Sequence, residues 1–246
     1  MLYHWNWDIL LSPVSTGEPT TYLGWLLSGL TVTITLSLAA WALALVTGSL
    51  FGILRTTSGP WLTGIGTAYV AIFRNIPLIV QLFTWYLVIP ELLPASMGDW
   101  FKQLSPVTQC FSAAIVCLGL FTGARVCEQV RSGINALPTG QRAAGLAMGF
   151  TPWQTYRYVL MPMAYRIILP PLTSEFLNVV KNSAVASTIG LLELSAQARQ
   201  LSDYTAQPYE SFIAVTLAYM LINLIVMQLM RRVEARTRLP GYIGGR

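Results

Sequence analysis

Between Glu18 and Arg55 the chain carries no charged residue at all, and further charge-free runs lie between Arg74 and Glu91, Lys102 and Arg125, and Glu210 and Arg231. Runs of this kind constrain the fold more than any other feature. A bilayer core of about 30 Å takes roughly 20 apolar residues as a helix, and lipid offers no water to an unpaired backbone group. The whole composition agrees: 54% of residues are hydrophobic and 10% charged, with a mean hydropathy of +0.56. A soluble domain has to cover its surface with more polar groups than that. One more apolar segment, Ile167 to Leu192, is interrupted by Glu175 and Lys181. The expectation is an all-α integral membrane protein, a single domain over residues 1–246. Its five spans are expected at about 22–54, 75–90, 104–124, 167–192 and 211–230.

The start, MLYHWNWDIL, has no Lys or Arg and so lacks the charged region of a cleaved signal peptide; the first span is expected to be retained. Cys110, Cys117 and Cys127 show no metal-ligand spacing and read as small core residues. The net charge of +5 reports topology rather than nucleic acid binding, because Lys and Arg gather in cytoplasmic loops. Five spans put Arg55, Arg74, Arg125, Arg131, Arg142, Arg157, Arg166, Arg231, Arg232, Arg236, Arg238 and Arg246 on one side, with only Glu128 and Glu234. The other side receives Lys102 and Arg199 with Asp8, Glu18, Glu91, Asp99, Glu193, Asp203 and Glu210. The amino terminus is therefore expected outside and the carboxyl terminus in the cytoplasm.

Two connecting pieces are too mixed to span. Thr57 to Phe73 reads as an interfacial elbow leading into the second span, which begins near Asn75 and ends in the aromatic anchor FTWYLVIP. Glu91 to Pro106 reads as an outer loop in which Pro90, Pro94 and Pro106 break helices. The inner connection over residues 138–162 is more specific. Pro138 ends the incoming helix and Gly140 permits a turn; a piece with the small residues Ala143, Ala144, Gly145 and Ala147 follows, and Gly149 breaks it. Thr151-Pro152-Trp153-Gln154 has the grammar of a helix start, with Thr151 as N-cap, Pro152 in the first helical position and Gln154 completing a capping box. Two short helices at an angle are expected here.

These residues resemble the EAA motif of ABC importer permeases, through Gly140, Gln141, Ala144, Gly145, Gly149, Val159, Met161 and Pro162. Ala143 stands where that family usually has Glu, Gly145 where it has a second Ala, and Met161 where it has Leu. FRNIPLIVQLF at Phe73 to Phe83 and KNSAVASTIGLLEL at Lys181 to Leu194 are similar to segments of the polar amino acid branch. The ending RLPG with Gly244 and Gly245 agrees with that branch too. The resemblance implies the type I permease fold and a coupling helix formed by Gly140, Gln141, Ala143, Ala144, Gly145, Gly149 and Pro162, seated on an ATP-hydrolysing subunit. It further implies a second permease chain, an external amino-acid-binding protein, the bacterial inner membrane as location, and glutamate or aspartate as cargo. No G-x-x-x-x-G-K-[ST] loop occurs, since Lys102 follows Phe101 and Lys181 follows Val180. The chain is accordingly expected not to be an enzyme, to bind no cofactor or metal and no nucleic acid, and to leave ATP and Mg to the partner.

The fourth apolar segment carries the polar residues that chemistry can use. Ser174, Asn178 and Lys181 recur at i, i+4, i+7, and Glu175, Asn178 and Asn182 at i, i+3, i+7, on one broad helical face. A Lys at a span centre costs about 2.5 to 3.5 kcal/mol, so this face should look into protein or a water-filled path. Asn178, Lys181, Asn182, Ser183, Glu175 and, in the second span, Gln81 are therefore candidate path residues. Lys181 equally suits a register pair with Glu175 or a snorkel to the outer interface. Arg74 reads as an inner-interface anchor and Asn223 as an interhelical bond donor. Two other functions compete with ATP-driven import. A proton-coupled secondary transporter would have no need of a shaped docking loop, and five spans do not divide into equal inverted halves. A membrane scaffold would not require the polar face.

Overall fold

The computed structural model describes residues 3–57 and 59–237; Arg238, Arg246, RLPG, Gly244 and Gly245 lie outside them. After a 3-10 turn at Trp7–Leu11 the helices are α1 (Tyr22–Leu54), α2 (Pro60–Asn75), α3 (Leu78–Leu92), α4 (Ala95–Gln103), α5 (Pro106–Asn135) and α6 (Thr139–Ala147). They continue with α7 (152–182), a 3-10 stretch at Ser183–Ile189, α8 (Leu194–Thr205) and α9 (Pro208–Thr237). Among the described residues there is no strand beyond one isolated bridge, Pro13 to Thr21. By length and composition α1, α5 and α9 can each cross a membrane, and α2 with α3 qualifies as a pair bent by 105°. α7 is not among them: it holds Arg166, Glu175 and Lys181, with Pro170 and Pro171 inside the helix.

Several expected boundaries move, each for a local reason. The second span does not begin near Asn75, because Pro77 pushes Ile76 into an extended conformation (φ −96°, ψ 132°) and separates α2 from α3. The third helix runs past the expected span end at 124 to Asn135, shortly before the Pro138 expected to end it, and the charges it carries there find partners. The fourth helix ends at Asn182, ten residues short of the expected 192. Beyond it the chain tightens to 3-10 until Gly190 closes it at φ 92°. The expected outer loop contains helix α4; Pro106 lies at a helix start, where a missing N–H costs nothing, and Pro90 lies inside α3 near its end. Gly140 sits inside α6 rather than in a turn. The second of the two expected short helices is no separate piece, because its residues run on without a break into Met161–Asn182.

Both α3 and α7 contain a π turn, Thr84–Val88 and Tyr156–Leu160. Each ends two residues before a proline, Pro90 and Pro162. A proline ring crowds the carbonyl four positions back and offers it no N–H; a widened turn just before the proline relieves both.

The described residues form two compact units, one of residues 3–40, 78–118 and 178–225, the other of 41–77, 119–177 and 226–237. In the second, α1 and α5 meet with almost no side chain between them. A Cβ at Gly48 would lie 2.6 Å from Val126 Cβ, and one at Gly52 2.7 Å from Val130 Cβ. In return a Cβ at Gly119 would lie 2.6 Å from Leu43 Cδ2, and one at Gly123 2.4 Å from Thr47 Oγ1. Each helix thus brings a Gly-x-x-x-Gly pair to the other, the arrangement that lets backbones approach where lipid removes the hydrophobic drive for helix association. Val126, Val130 and Ile134 of α5, with Leu137 just beyond it, then pack on Tyr156, Leu160, Ala164, Ile168 and Leu172 of α7. α2 closes a second cluster through Tyr69 and Val70 against Ala124 and Cys127, with the Tyr69 hydroxyl donating to the Leu120 carbonyl at 2.8 Å.

The first unit is built around a buried carboxylate. Glu193 has no exposed surface and is the N-cap of α8, accepting from the backbone N–H of Ser195 (3.0 Å) and Ala196 (2.8 Å). It also accepts from Tyr219 of α9 (2.7 Å), the Ser195 hydroxyl and, at 3.5 Å, Thr33 of α1. Thr33 in turn takes the Leu194 N–H at 3.1 Å. Around it pack Tyr22, Trp25, Leu26, Leu194, Ala198, Leu201 and Val215. The cysteines are buried, as expected from sequence. Cys110 donates to the Ile189 carbonyl (3.0 Å) and Cys117 approaches that of Leu78 (3.9 Å), both at points where a helix begins or ends.

Two substitutions test these contacts. Gly52→Leu forces the α1 and α5 backbones apart and is expected to lower stability in detergent by about 3 kcal/mol, whereas Gly64→Leu, with nothing within 4 Å of its Cβ, is expected to be neutral; the measurement is thermal unfolding followed by gel filtration. Glu193→Ala strands the Tyr219 hydroxyl and the α8 N–H groups and is expected to cost about 3 kcal/mol on the same readout.

Candidate functional site

The expected coupling residues come together on α6 and the turn after it. α6 ends in two bonds that require a left-handed residue: Gly149 N–H to Leu146 O at 3.0 Å and Phe150 N–H to Gly145 O at 3.1 Å, with Gly149 at φ 85°. The capping box is present, Gln154 N–H donating to Thr151 Oγ1 at 3.2 Å and Thr151 N–H to Gln154 Oε1 at 2.8 Å. Gly145 is the only coupling residue whose smallness serves the fold, since a Cβ there would lie 2.8 Å from Thr155 Cγ2. Ala143, Ala144 and Ala147 face outward beside Leu146, and Met148 and Trp153 are 74% and 63% exposed. An exposed apolar surface of this kind on a capped, rigid element suits a protein partner. Pro162 lies within α7, behind the π turn, and contributes to the bend rather than to that surface.

The polar residues expected on one helical face divide. Glu175 does not pair with Lys181; Arg125 stands 3.6 Å from its Oε2 and Gln129 Nε2 donates to Oε1 at 3.5 Å. A cleft of about 410 Å³ opens there, lined by Arg74, Arg125, Glu128, Gln129 and Glu175. Glu128 accepts Arg55 at 2.6 Å and Arg131 at 3.1 Å, and lies 3.6 Å from Arg74. Burial works to lower the pKa of Arg55, but its bonds to Glu128 and Cys127 outweigh this and hold it above its ordinary value. Arg74 is thus part of a charge network and not only an interface anchor. Both Arg74 and Arg125 keep loose, partly exposed ion pairs, so each guanidinium has donors left for an anion.

Lys181, on the last turn of α7, is exposed and forms no ion pair among the described residues. Asn178 and Asn182 are half-buried, while Ser183 is fully buried and donates to the Val180 carbonyl at 2.8 Å. Gln81 is buried near the start of α3, which packs on the 3-10 stretch that follows Lys181. Asn223 donates to Tyr219 O of its own helix at 2.7 Å, not across to another as expected. Sequence reasoning missed Arg125 and Glu128 as site residues because it counted them only toward topology, and it passed over the uncharged Gln129. Their i, i+3, i+4 spacing on one helix face was the available signal.

Comparison with known proteins agrees with this architecture. Residues 44–239 match the family described as "Binding-protein-dependent transport system inner membrane component". The glutamate/aspartate import permease protein GltJ of Escherichia coli K12 is 59% identical over 247 residues, with both chains covered in full. The glutamine transport system permease protein GlnP of the same organism is 30% identical over 214 residues, 87% of this chain and 93% of that protein. A crystal structure of an amino acid ABC transporter with histidines aligns with a TM-score of 0.72 at 28% identity, covering 87% of this chain and 95% of its own. The methionine transporter MetNI, in inward facing conformations, shares the fold at a TM-score of 0.73 and 22% identity. The all-helical chain, with its capped inner element and apolar helices, belongs to the inner membrane components of binding-protein-dependent transport systems.

Proposed function

We propose that this chain is the permease subunit of an ATP-driven importer for glutamate and aspartate. The observation that carries the reading is its 59% identity, along the full length of both chains, to a permease named for those two substrates. The arginine-lined cleft supports it, because Arg74 and Arg125 offer an acidic amino acid the planar forks that suit carboxylates, with Glu175 beside them for an ammonium group. Five spans, α7 included, carry the amino terminus outside and the carboxyl terminus in the cytoplasm. The exposed surface of α6 seats a partner ATPase, which holds ATP and Mg. A second permease chain completes the path and an external binding protein delivers the ligand. A shaped, capped docking element favours this over a proton-coupled secondary transporter, which would work alone.

Reconstitution in proteoliposomes with ATPase, second permease and binding-protein partners tests the reading. Ligand-loaded binding protein is expected to raise ATP turnover and labelled glutamate or aspartate to accumulate; unchanged turnover with no uptake sinks it. Lys181, exposed and without an ion pair among the described residues, is assigned to the path rather than to helix register. Lys181→Met is accordingly expected to assemble normally and to take up amino acid at least about tenfold more slowly, the equivalent of one charge-assisted hydrogen bond. Poor assembly would return the residue to a structural role, and undiminished uptake would remove it from both.

A further inference from the structure

One tyrosine joins every element that surrounds α6. Tyr156 opens the π turn of α7 and is 6% exposed. Its hydroxyl donates to the Thr56 carbonyl at 2.9 Å and lies 3.1 Å from Thr56 Oγ1, just beyond the end of α1. Its ring sits beneath the guanidinium of Arg142 on α6, 5.8 Å from the ring centroid, and packs in the cluster of Val126, Val130 and Ile134 on α5 and Leu137 after it. The residue before it, Thr155, is the one against which Gly145 of α6 closes. A shift of α6 therefore reaches Tyr156 by two routes, one steric and one through a cation over a ring, and Tyr156 is hydrogen-bonded directly to α1.

Two further features make this joint movable. A cavity of about 190 Å³ adjoins the ring, lined in part by Thr56, Pro138, Arg142 and Tyr156. It opens to the surface beside Pro138 and Arg142, which gives the ring a place to re-seat. The π turn that Tyr156 begins also stores one residue more than an α turn. Its conversion rotates and advances the chain ahead of it without breaking α7.

We propose that Tyr156 is a positioning residue for energy coupling: its hydroxyl passes the displacement of α6 to the end of α1 through Thr56. This rests on the reading of α6 as the seat of the ATPase. Loss of the hydroxyl leaves the ring, the core and the docking surface in place, so ATP hydrolysis continues while less of its work reaches the path.

The test is Tyr156→Phe in the full reconstituted complex, with ATP turnover and labelled glutamate uptake measured in the same vesicles. The expected result is ATP turnover within about twofold of wild type and a rise of about fivefold in ATP consumed per amino acid imported, the factor that one hydrogen bond of ordinary net strength carries. An unchanged ratio in the assembled variant overturns the proposal. If the ATPase fails to co-purify with this variant, the hydroxyl is needed for the docking surface itself, and the proposal is overturned as well. Wild-type vesicles whose ATP turnover ignores loaded binding protein overturn the importer reading itself, which separates that failure from this one.

Discussion

The close approach of α1 to α5 is the constraint on which the second unit depends. Within a bilayer, apolar side chains gain little by leaving lipid for one another, so helices associate where their backbones can come near enough for dispersion to add up. Gly48 and Gly52 on one side and Gly119 and Gly123 on the other remove the atoms that would prevent it. Once α5 is held against α1, its next turns meet α7 through Val126, Val130 and Ile134, and Arg55 at the end of α1 reaches Glu128 at 2.6 Å. The charge cleft and the coupling joint are both consequences of that contact.

Polar groups in this chain are costly where they stand, and the fully buried carboxylates Glu193 and Glu210 have been given donors. Glu193 collects donors from α1, α8 and α9 and so holds the first unit's helices at a common point. Glu128 does the same for three arginines. The two loosest pairs, Arg74 with Glu128 and Arg125 with Glu175, line a cleft in which charged side chains from α2, α5 and α7 converge. A pair of 3.6 Å is weaker than a direct hydrogen bond, and a ligand carboxylate displaces its partner more readily.

Much of the fold was legible because its signals are local. Charge-free runs foretold α1, α5 and α9, and Thr151 with Gln154 foretold the start of α7 down to its capping box. Gly149 foretold the end of α6, because only a left-handed residue serves there. The break at Ile76 was equally local and was overlooked although Pro77 announces it. Other features had no local sign. Nothing near Glu175 names Arg125, on another helix fifty residues earlier, as the cation it faces, although a separation of six positions already speaks against a helical pair with Lys181. Nothing around Tyr156 says that its hydroxyl ends on Thr56, a hundred residues earlier.

What the sequence determined by itself was class, capping and family, since each follows from hydrophobicity, from backbone sterics at Gly and Pro, or from short motifs. What only the tertiary structure decided was partnership. An ion pair or a buried hydrogen bond depends on distances between segments far apart in the chain, and those distances are set by how closely helices pack. KNSAVASTIG carries that division within itself: its lysine was conspicuous from the first reading. Only folding left Lys181 exposed, gave Glu175 to Arg125, and turned the Glu193 that follows into the centre of a core.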